Sequence, residues 1–152
     1  MSEEDKQLLL IDLCGRLPYG VKVCVYEESA EPETLWDIHT NAVNPYLSTD
    51  NWMMVYPENV KPCLRPLNTI TKSEIAAAIK YICDTDNVVW SSGTDGVGFY
   101  FYKSDGIKRR FNELEFKLGY YGPKNIDWLN EHHFDYRGLI EKGLALEAPE
   151  GM

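Results

Sequence analysis

The hydrophobic positions near the start of the chain recur at the spacing of an α-helix. Four leucines recur at three- and four-residue steps, which predicts a helix over about residues 4–15: Leu9, Leu10, Leu13 and, just beyond it, Leu17. Asp12 and Arg16 are four residues apart, so they can form an ion pair on the other side of that helix. Gly15 is predicted to end the helix, because glycine favours the backbone conformation found just after a helix.

A second helix is predicted over about residues 72–83. Thr71 and Glu74 have the capping-box spacing, in which the Thr hydroxyl accepts from the Glu74 amide and the Glu74 side chain reaches back. Four apolar residues then lie on one face: Ile75, Ala78, Ile79 and Ile82. A short C-terminal helix is predicted over about residues 126–134, with Asn125 as its cap.

Alternating apolar and polar residues predict strands in the remaining segments. Residues 21–25 alternate cleanly, and residues 35–43 are expected to place Trp36, Ile38 and Thr40 on one face. Further strands are predicted near residues 52–56, 87–91, 97–103 and 107–111, with a hairpin turn at 104–106. The sequence therefore predicts a single α+β domain over residues 1–152, with helices on one face of an antiparallel sheet of about four to six strands.

The charge and hydropathy of the chain limit which partners and which cellular compartment are expected. The 152 residues carry 24 acidic and 15 basic side chains, a formal net charge of −9, which disfavours a broad surface for nucleic acid or anionic membranes. No stretch approaches the roughly 18 apolar residues that a membrane-spanning helix needs. The N-terminus is acidic, whereas a secretory signal peptide begins with a basic segment. We expect a cytoplasmic protein.

The cysteines and histidines do not have the spacing of a metal site. Four cysteines are far apart and form no CxxC pair: Cys14, Cys24, Cys63 and Cys83. In a reducing compartment they are expected to be free thiols that pack as small hydrophobic residues. We predict neither a metal nor another cofactor.

Residues 130–137 form the densest polar segment. The members that can carry chemistry are His132, His133, Asp135, Tyr136 and Arg137. Histidine beside a carboxylate could serve a small hydrolase or a metal-dependent enzyme. The alternative is a helix end locked in place by Tyr136 or Arg137, and we expect at least one of these two to contact the first helix or its following turn.

A second candidate surface is the predicted aromatic hairpin over residues 97–111. Tyr100 and Tyr102 lie on one face of its first strand. The basic run that follows consists of Lys108, Arg109 and Arg110. Exposed aromatic side chains beside cations can stack single-stranded bases, so single-stranded nucleic-acid binding or processing is an alternative function.

Three blocks of the sequence together resemble a group of small uncharacterised proteins. The blocks are LLLIDLCGRLPYGV (8–21), VKPCLRPL (60–67) and HHFDYRGLIEKGLALEAP (132–149). The group is encoded by gut Bacteroides-type bacteria, often in prophage or mobile-element regions, and has no activity that can be transferred. The resemblance implies a bacterial or phage cytoplasmic setting, and it implies that the three blocks meet in one core or site.

The favoured function is a non-enzymatic accessory or regulatory module that binds a protein partner, derived from a phage or mobile element. It rests on the acidic surface, the aromatic surplus and the lack of a catalytic motif. Aromatic and Arg side chains are the usual energetic centres of protein interfaces, which favours Trp128, Tyr136 and Arg137 as contact residues.

Overall fold

The chain divides into two compact units. The computed structural model describes residues 1–26, 31–40, 43–51, 54–85, 88–93, 96–102, 106 and 108–152. The first unit comprises Met1–Pro66 and Asn130–Met152, and the second comprises Leu67–Leu129. Both contain helices and strands, so the predicted α+β class is confirmed.

The described residues form four α-helices and nine strands. The helices are α1 (Glu3–Arg16), α2 (Lys72–Cys83), α3 (Glu113–Lys117) and α4 (Pro123–Glu131). The strands are β1 (Lys22–Val25), β2 (Glu33–His39), β3 (Tyr46–Thr49), β4 (Met54–Val55), β5 (Val60–Leu64), β6 (Val88–Gly93), β7 (Gly96–Tyr102), β8 (Lys108–Phe111) and β9 (Leu146–Glu147). Ser104 and Asp105 of the predicted hairpin turn lie outside the described residues.

In the first unit, the described strands form a six-stranded sheet in the order β4-β3-β2-β1-β5-β9. Neighbouring strands are antiparallel except β5 and β9, which are parallel. Leu9 and Leu13 of α1 are fully buried in the same core as Val23 and Leu47 of the sheet. The apolar stripe predicted for the first helix therefore covers this sheet.

Helix α1 continues through Gly15, so the prediction that Gly15 ends it is wrong. The helix runs to Arg16, a short 3-10 turn follows, and Gly20 supplies the left-handed conformation at φ 65°. A Cβ at Gly15 would lie 3.0 Å from Nδ2 of Asn130. Glycine at position 15 therefore leaves room for the Asn130 side chain to pack against the helix.

A bulge in β2 changes which of its side chains face the core. Leu35 pairs with Thr49, but Asp37 pairs with the adjacent Ser48, so Trp36 is the extra residue. Leu35 and Ile38 consequently pack inward, and Trp36 is 56% exposed. The prediction that Trp36 and Ile38 share a face is wrong, because strict alternation fails across a bulge.

The second unit contains α2 and an antiparallel three-stranded sheet in the order β6-β7-β8, so the described strands form two sheets rather than one. The predicted capping box is present: Oγ1 of Thr71 accepts from the Glu74 amide at 3.2 Å, and the Thr71 amide donates to Oε2 of Glu74 at 2.9 Å. This confirms the predicted start of α2.

Asn125 lies inside α4 rather than capping it. The helix begins at Pro123 and ends at Glu131, so the predicted range of 126–134 is shifted. Asn125 is fully buried; its Nδ2 donates to the Phe116 carbonyl at 3.1 Å, and its Oδ1 accepts from the Tyr121 amide at 3.2 Å. The side chain thus ties α4 to the end of α3, a tertiary role that uses the same hydrogen-bonding capacity as a cap.

Candidate functional site

A buried ion pair lies at the end of α1. Nε of Arg16 is 2.6 Å from Oδ2 of Asp12, and Nη2 of Arg16 donates to Oδ1 at 3.0 Å. Both side chains are fully buried. The predicted pair is confirmed, but it lies in the interior rather than on an outer polar side of the helix.

The three sequence blocks meet around residues 133–135, which lie beside this pair. Nη2 of Arg16 also donates to the Phe134 carbonyl at 2.8 Å. Just after β5, the Arg65 amide donates to the His133 carbonyl at 2.8 Å, and the Asp135 amide donates to the Arg65 carbonyl at 2.8 Å. These contacts fix residues 133–135 between the end of α1 and the end of β5, as the resemblance implied.

Tyr136 and Arg137 complete the cluster. The Tyr136 ring centroid lies 5.6 Å from Cζ of Arg16 and 4.9 Å from Cζ of Arg137. Nε of Arg137 is 3.4 Å from Oδ1 of Asp12, an ion-pair contact whose geometry does not make a hydrogen bond. The prediction that Tyr136 or Arg137 contacts the first helix is confirmed for both residues. We call Asp12, Arg16, His133, Tyr136 and Arg137 the Arg16 cluster.

Several buried polar atoms of this region have no hydrogen-bond partner. Among the described residues, the buried side-chain atoms that lack a hydrogen-bond partner are Nη1 of Arg16, Oδ1 of Asn130, Nδ1 of His133, the Tyr136 hydroxyl and Nε of Arg137. All belong to the Arg16 cluster or to Asn130, which abuts α1 at Gly15. Buried polar groups are normally satisfied, so their concentration in one region is unusual.

The cluster carries more positive than negative charge. One buried carboxylate, Asp12, faces the guanidinium groups of Arg16 and Arg137. Burial lowers the pKa of His133, and the positive charges of Arg16, His132 and Arg65 lower it further, against the opposing effect of Asp12. The local field is therefore cationic, although the whole chain is acidic.

This lowered pKa predicts a loss of stability in mild acid. The unfolded chain takes up a proton on His133 near its ordinary pKa of about 6.5, whereas the folded protein resists that proton. Stability is thus present above pH 6.5 and falls as the pH drops toward the folded pKa. Urea unfolding at pH 7.5 and at pH 5 measures the free energy of unfolding, which should fall less between these two values in His133→Asn than in the parent protein. Asn is chosen because it tolerates the backbone φ of 57° at this position. Equal losses in both proteins would contradict the assignment.

Two other predicted site residues have structural roles. Asp135 is buried, and its two carboxylate oxygens accept from the Leu139 and Ile140 amides at 2.8 Å each. Trp128 belongs to the second unit, is only 5% exposed and packs against Phe116 with ring centroids 5.5 Å apart. Neither side chain is placed to receive a partner. His132 is half-buried.

In the part of the chain that the structure describes, no group of three or more His, Cys, Asp or Glu side chains is arranged to hold a metal ion.

Among the described side chains of the aromatic hairpin, the cations are exposed and the Tyr100 ring is buried. Tyr100 is 6% exposed, and Nζ of Lys108 lies 4.1 Å from its ring centroid. Lys108, Arg109 and Arg110 are exposed, whereas the side chain of Tyr102 lies outside the described residues. Base stacking on Tyr100 would require displacement of the covering groups.

An exposed aromatic surface lies on the first unit, where the sequence indicated no site. The cross-strand pairs His39–Tyr46, Asp37–Ser48 and Ser48–Met54 place these side chains on the side of the sheet opposite Leu47 and Val55. We call this surface the outer face; its members are Trp36, Asp37, His39, Tyr46, Ser48, Met54 and Tyr56.

The large side chains of the outer face are accessible to solvent. Trp36, Met54 and Tyr56 are 56%, 60% and 46% exposed, and the rings of His39 and Tyr46 stack with centroids 4.3 Å apart. Nε2 of His39 also lies 3.3 Å from Oδ2 of Asp37. The bulge at Trp36, which is invisible in the alternation pattern, is what puts Trp36 and Ile38 on opposite faces of the sheet.

Two cysteines lie together on adjacent strands. The sulfur atoms of Cys24 and Cys63 are 3.6 Å apart, and both residues are buried. Burial, with a further contribution from Cys24, raises the pKa of Cys63 to about 12. The thiol therefore lies far from its reactive thiolate form at neutral pH.

Cysteine modification should follow exposure. With a disulfide reagent at pH 8 we expect Cys14, which is exposed, to react first. Cys63 should stay unmodified until the protein unfolds, since roughly one thiol in ten thousand would be ionised at its pKa of about 12. Mass spectrometry of peptides from briefly treated native protein measures this order. Early labelling of Cys63 would contradict it.

Comparison with protein-family models, with curated proteins and with solved structures gives no match. Among the described residues, no helix combines the length and apolar character needed to cross a membrane. The fold, the outer face and the buried Arg16 cluster are thus the observations from which a function is proposed.

Proposed function

We propose that the protein is a non-enzymatic module that binds a protein partner through the outer face. The observation that carries the proposal is the exposure of Trp36 on β2 and Met54 on β4, with exposed Tyr56 directly after β4. Aromatic and Met side chains are enriched at protein interfaces. Aromatic rings bury a large area for few rotatable bonds, and the flexible Met side chain adapts to the shape of a partner. The bacterial or phage cytoplasmic setting implied by the sequence blocks stays a prediction.

The partner is proposed to contribute cationic side chains. The outer face contains the carboxylate of Asp37, which is 55% exposed, and Glu58 is exposed just beyond Tyr56. The rings of Trp36 and Tyr56 can receive Lys or Arg by cation–π contact, which contributes about 0.5–1 kcal/mol at exposed sites. The formal net charge of −9 would also speed encounter with a basic partner.

The proposal is tested by NMR titration of labelled protein with two synthetic peptides of equal length. One peptide alternates Arg and Leu, and the other alternates Glu and Leu. We expect the Arg peptide to shift amide signals of β2–β4 and of residues 56–58, while the Glu peptide leaves them unchanged. Trp36→Ala should weaken binding about tenfold or more, since a central aromatic anchor contributes about 2 kcal/mol.

Tyr120→Ala is the matched control, because Tyr120 is 71% exposed but belongs to the second unit. That variant should bind the Arg peptide as the parent protein does. Shifts that spread over all acidic surfaces, or equal weakening by Tyr120→Ala, would show non-specific attraction and overturn the proposal. Concentration-dependent dimerisation that is abolished by Trp36→Ala would assign the outer face to a second copy of this chain instead.

A further inference from the structure

The Arg16 cluster holds hydrogen-bond donors that no described residue satisfies. Nη1 of Arg16 carries two N–H groups, and an arginine nitrogen can donate but not accept. The side chain is fully buried, so bulk water does not reach it. The Tyr136 hydroxyl and Nδ1 of His133 are further groups of the cluster that can donate and have no partner.

The charges of the cluster favour an anion over a neutral ligand at these donors. Asp12 uses both of its oxygens on Arg16, and it is also the carboxylate that Arg137 approaches. One negative charge is thus shared by two guanidinium groups. A buried charge without full compensation is costly, and a bound anion would supply the missing charge and acceptors together.

We propose that the Arg16 cluster is a binding site for an oxyanion, a carboxylate or phosphate group. Nη1 of Arg16 and the Tyr136 hydroxyl donate to its oxygens, and the Arg137 guanidinium supplies the second positive charge. Guanidinium groups match the geometry of both anions and are the usual side chains that bind them. Oδ1 of Asn130 is an acceptor and takes no part in holding the anion.

Arg137 gives the site its connection to solvent. Its side chain is 29% exposed, whereas those of Arg16 and Asp12 are fully buried. An anion can therefore meet Arg137 first and reach the inner donors by displacing its weak contact with Asp12. This binding site does not depend on the proposed function of the outer face, and either can fail alone.

The test compares sodium acetate, sodium phosphate and sodium chloride at matched ionic strength. The midpoint temperature of thermal unfolding should rise with the concentration of acetate or phosphate and then level off. At an anion concentration one hundred times the dissociation constant, the rise should be roughly 5 °C or more. Chloride should give no saturable shift. Saturation matters because phosphate also stabilises proteins non-specifically, in proportion to its concentration. Saturation with acetate alone assigns a carboxylate, and saturation with phosphate alone assigns a phosphate group.

Three variants locate the effect. Arg137→Gln and Tyr136→Phe should each raise the dissociation constant of the anion about tenfold or more, since each removes a charge-assisted contact. Lys142→Gln is the matched control: Lys142 is an exposed cation of the same unit, and its loss should leave the dissociation constant unchanged. In NMR spectra of the parent protein, the Arg16 side-chain N–H signals should move with the same saturation curve. Absence of saturable binding, or identical binding by Arg137→Gln and Tyr136→Phe, would overturn the inference.

Discussion

Replacing Asp12 by Asn is expected to lower the free energy of unfolding by about 3–5 kcal/mol, the range measured when one partner of a buried ion pair is removed. Asn keeps the size of the side chain but removes the charge that faces Arg16. The guanidinium would then remain fully buried with only the Phe134 carbonyl and a weakened contact to residue 12. Urea unfolding followed by circular dichroism measures the change.

Two controls separate this effect from a general loss of charge. Glu113→Gln breaks the Lys117–Glu113 pair, which has the same i, i+4 spacing but is partly exposed, and it should change stability by only about 0.3–0.5 kcal/mol. The double variant Asp12→Leu, Arg16→Met should recover much of the lost stability, since apolar residues of similar volume often replace buried pairs well. If Asp12→Asn were as mild as Glu113→Gln, the buried pair would not be structurally important.

Phe134→Ala is expected to lower the free energy of unfolding by about 3–5 kcal/mol, as for other fully buried aromatic side chains. The ring is fully buried and lies 4.2 Å from Cζ of Arg65. Its removal leaves a cavity between the segment that follows α4 and the end of β5, where the three sequence blocks meet. The same urea titration measures this loss.

Phe134→Leu provides the graded control, because it retains most of the buried apolar volume and should cost clearly less than Phe134→Ala. Tyr120→Ala removes an exposed ring from the second unit and should stay within about 0.5 kcal/mol of the parent protein. A change of less than 1 kcal/mol in Phe134→Ala would contradict the view that Phe134 anchors this segment.

Local signals in the sequence predicted the elements that depend on neighbouring residues. The capping box of Thr71 and Glu74 fixes the start of α2, and leucine spacing identifies the buried side of α1. Both patterns act within a few residues, so a single sequence contains them in full. The contact of Tyr136 and Arg137 with the first helix was also predicted, but from the resemblance and the polar density rather than from periodicity.

Tertiary contacts decided the features that the sequence did not predict. Asn125 bonds backbone groups of α3 and of the following loop instead of capping its own helix. Gly15 leaves room for Asn130 instead of ending α1. Ile38 faces the core, opposite to Trp36, because of a bulge set by pairing with β3. The burial of Asp12 and Arg16 depends on a segment more than 100 residues away, which no i, i+4 rule can supply.

Arg16 joins α1 to the segment 133–140 through the Phe134 carbonyl, and backbone bonds between that segment and Arg65 extend the same cooperative structure to the end of β5. Native-state hydrogen exchange tests it at the Arg65, Asp135 and Leu139 amides, whose hydrogen bonds connect or close these segments. We predict similar opening free energies for these amides and for the Arg16 amide of α1, all reduced together in Asp12→Asn. Fast exchange of Asp135 and Leu139 beside a fully protected α1, unchanged by that substitution, would contradict the claim.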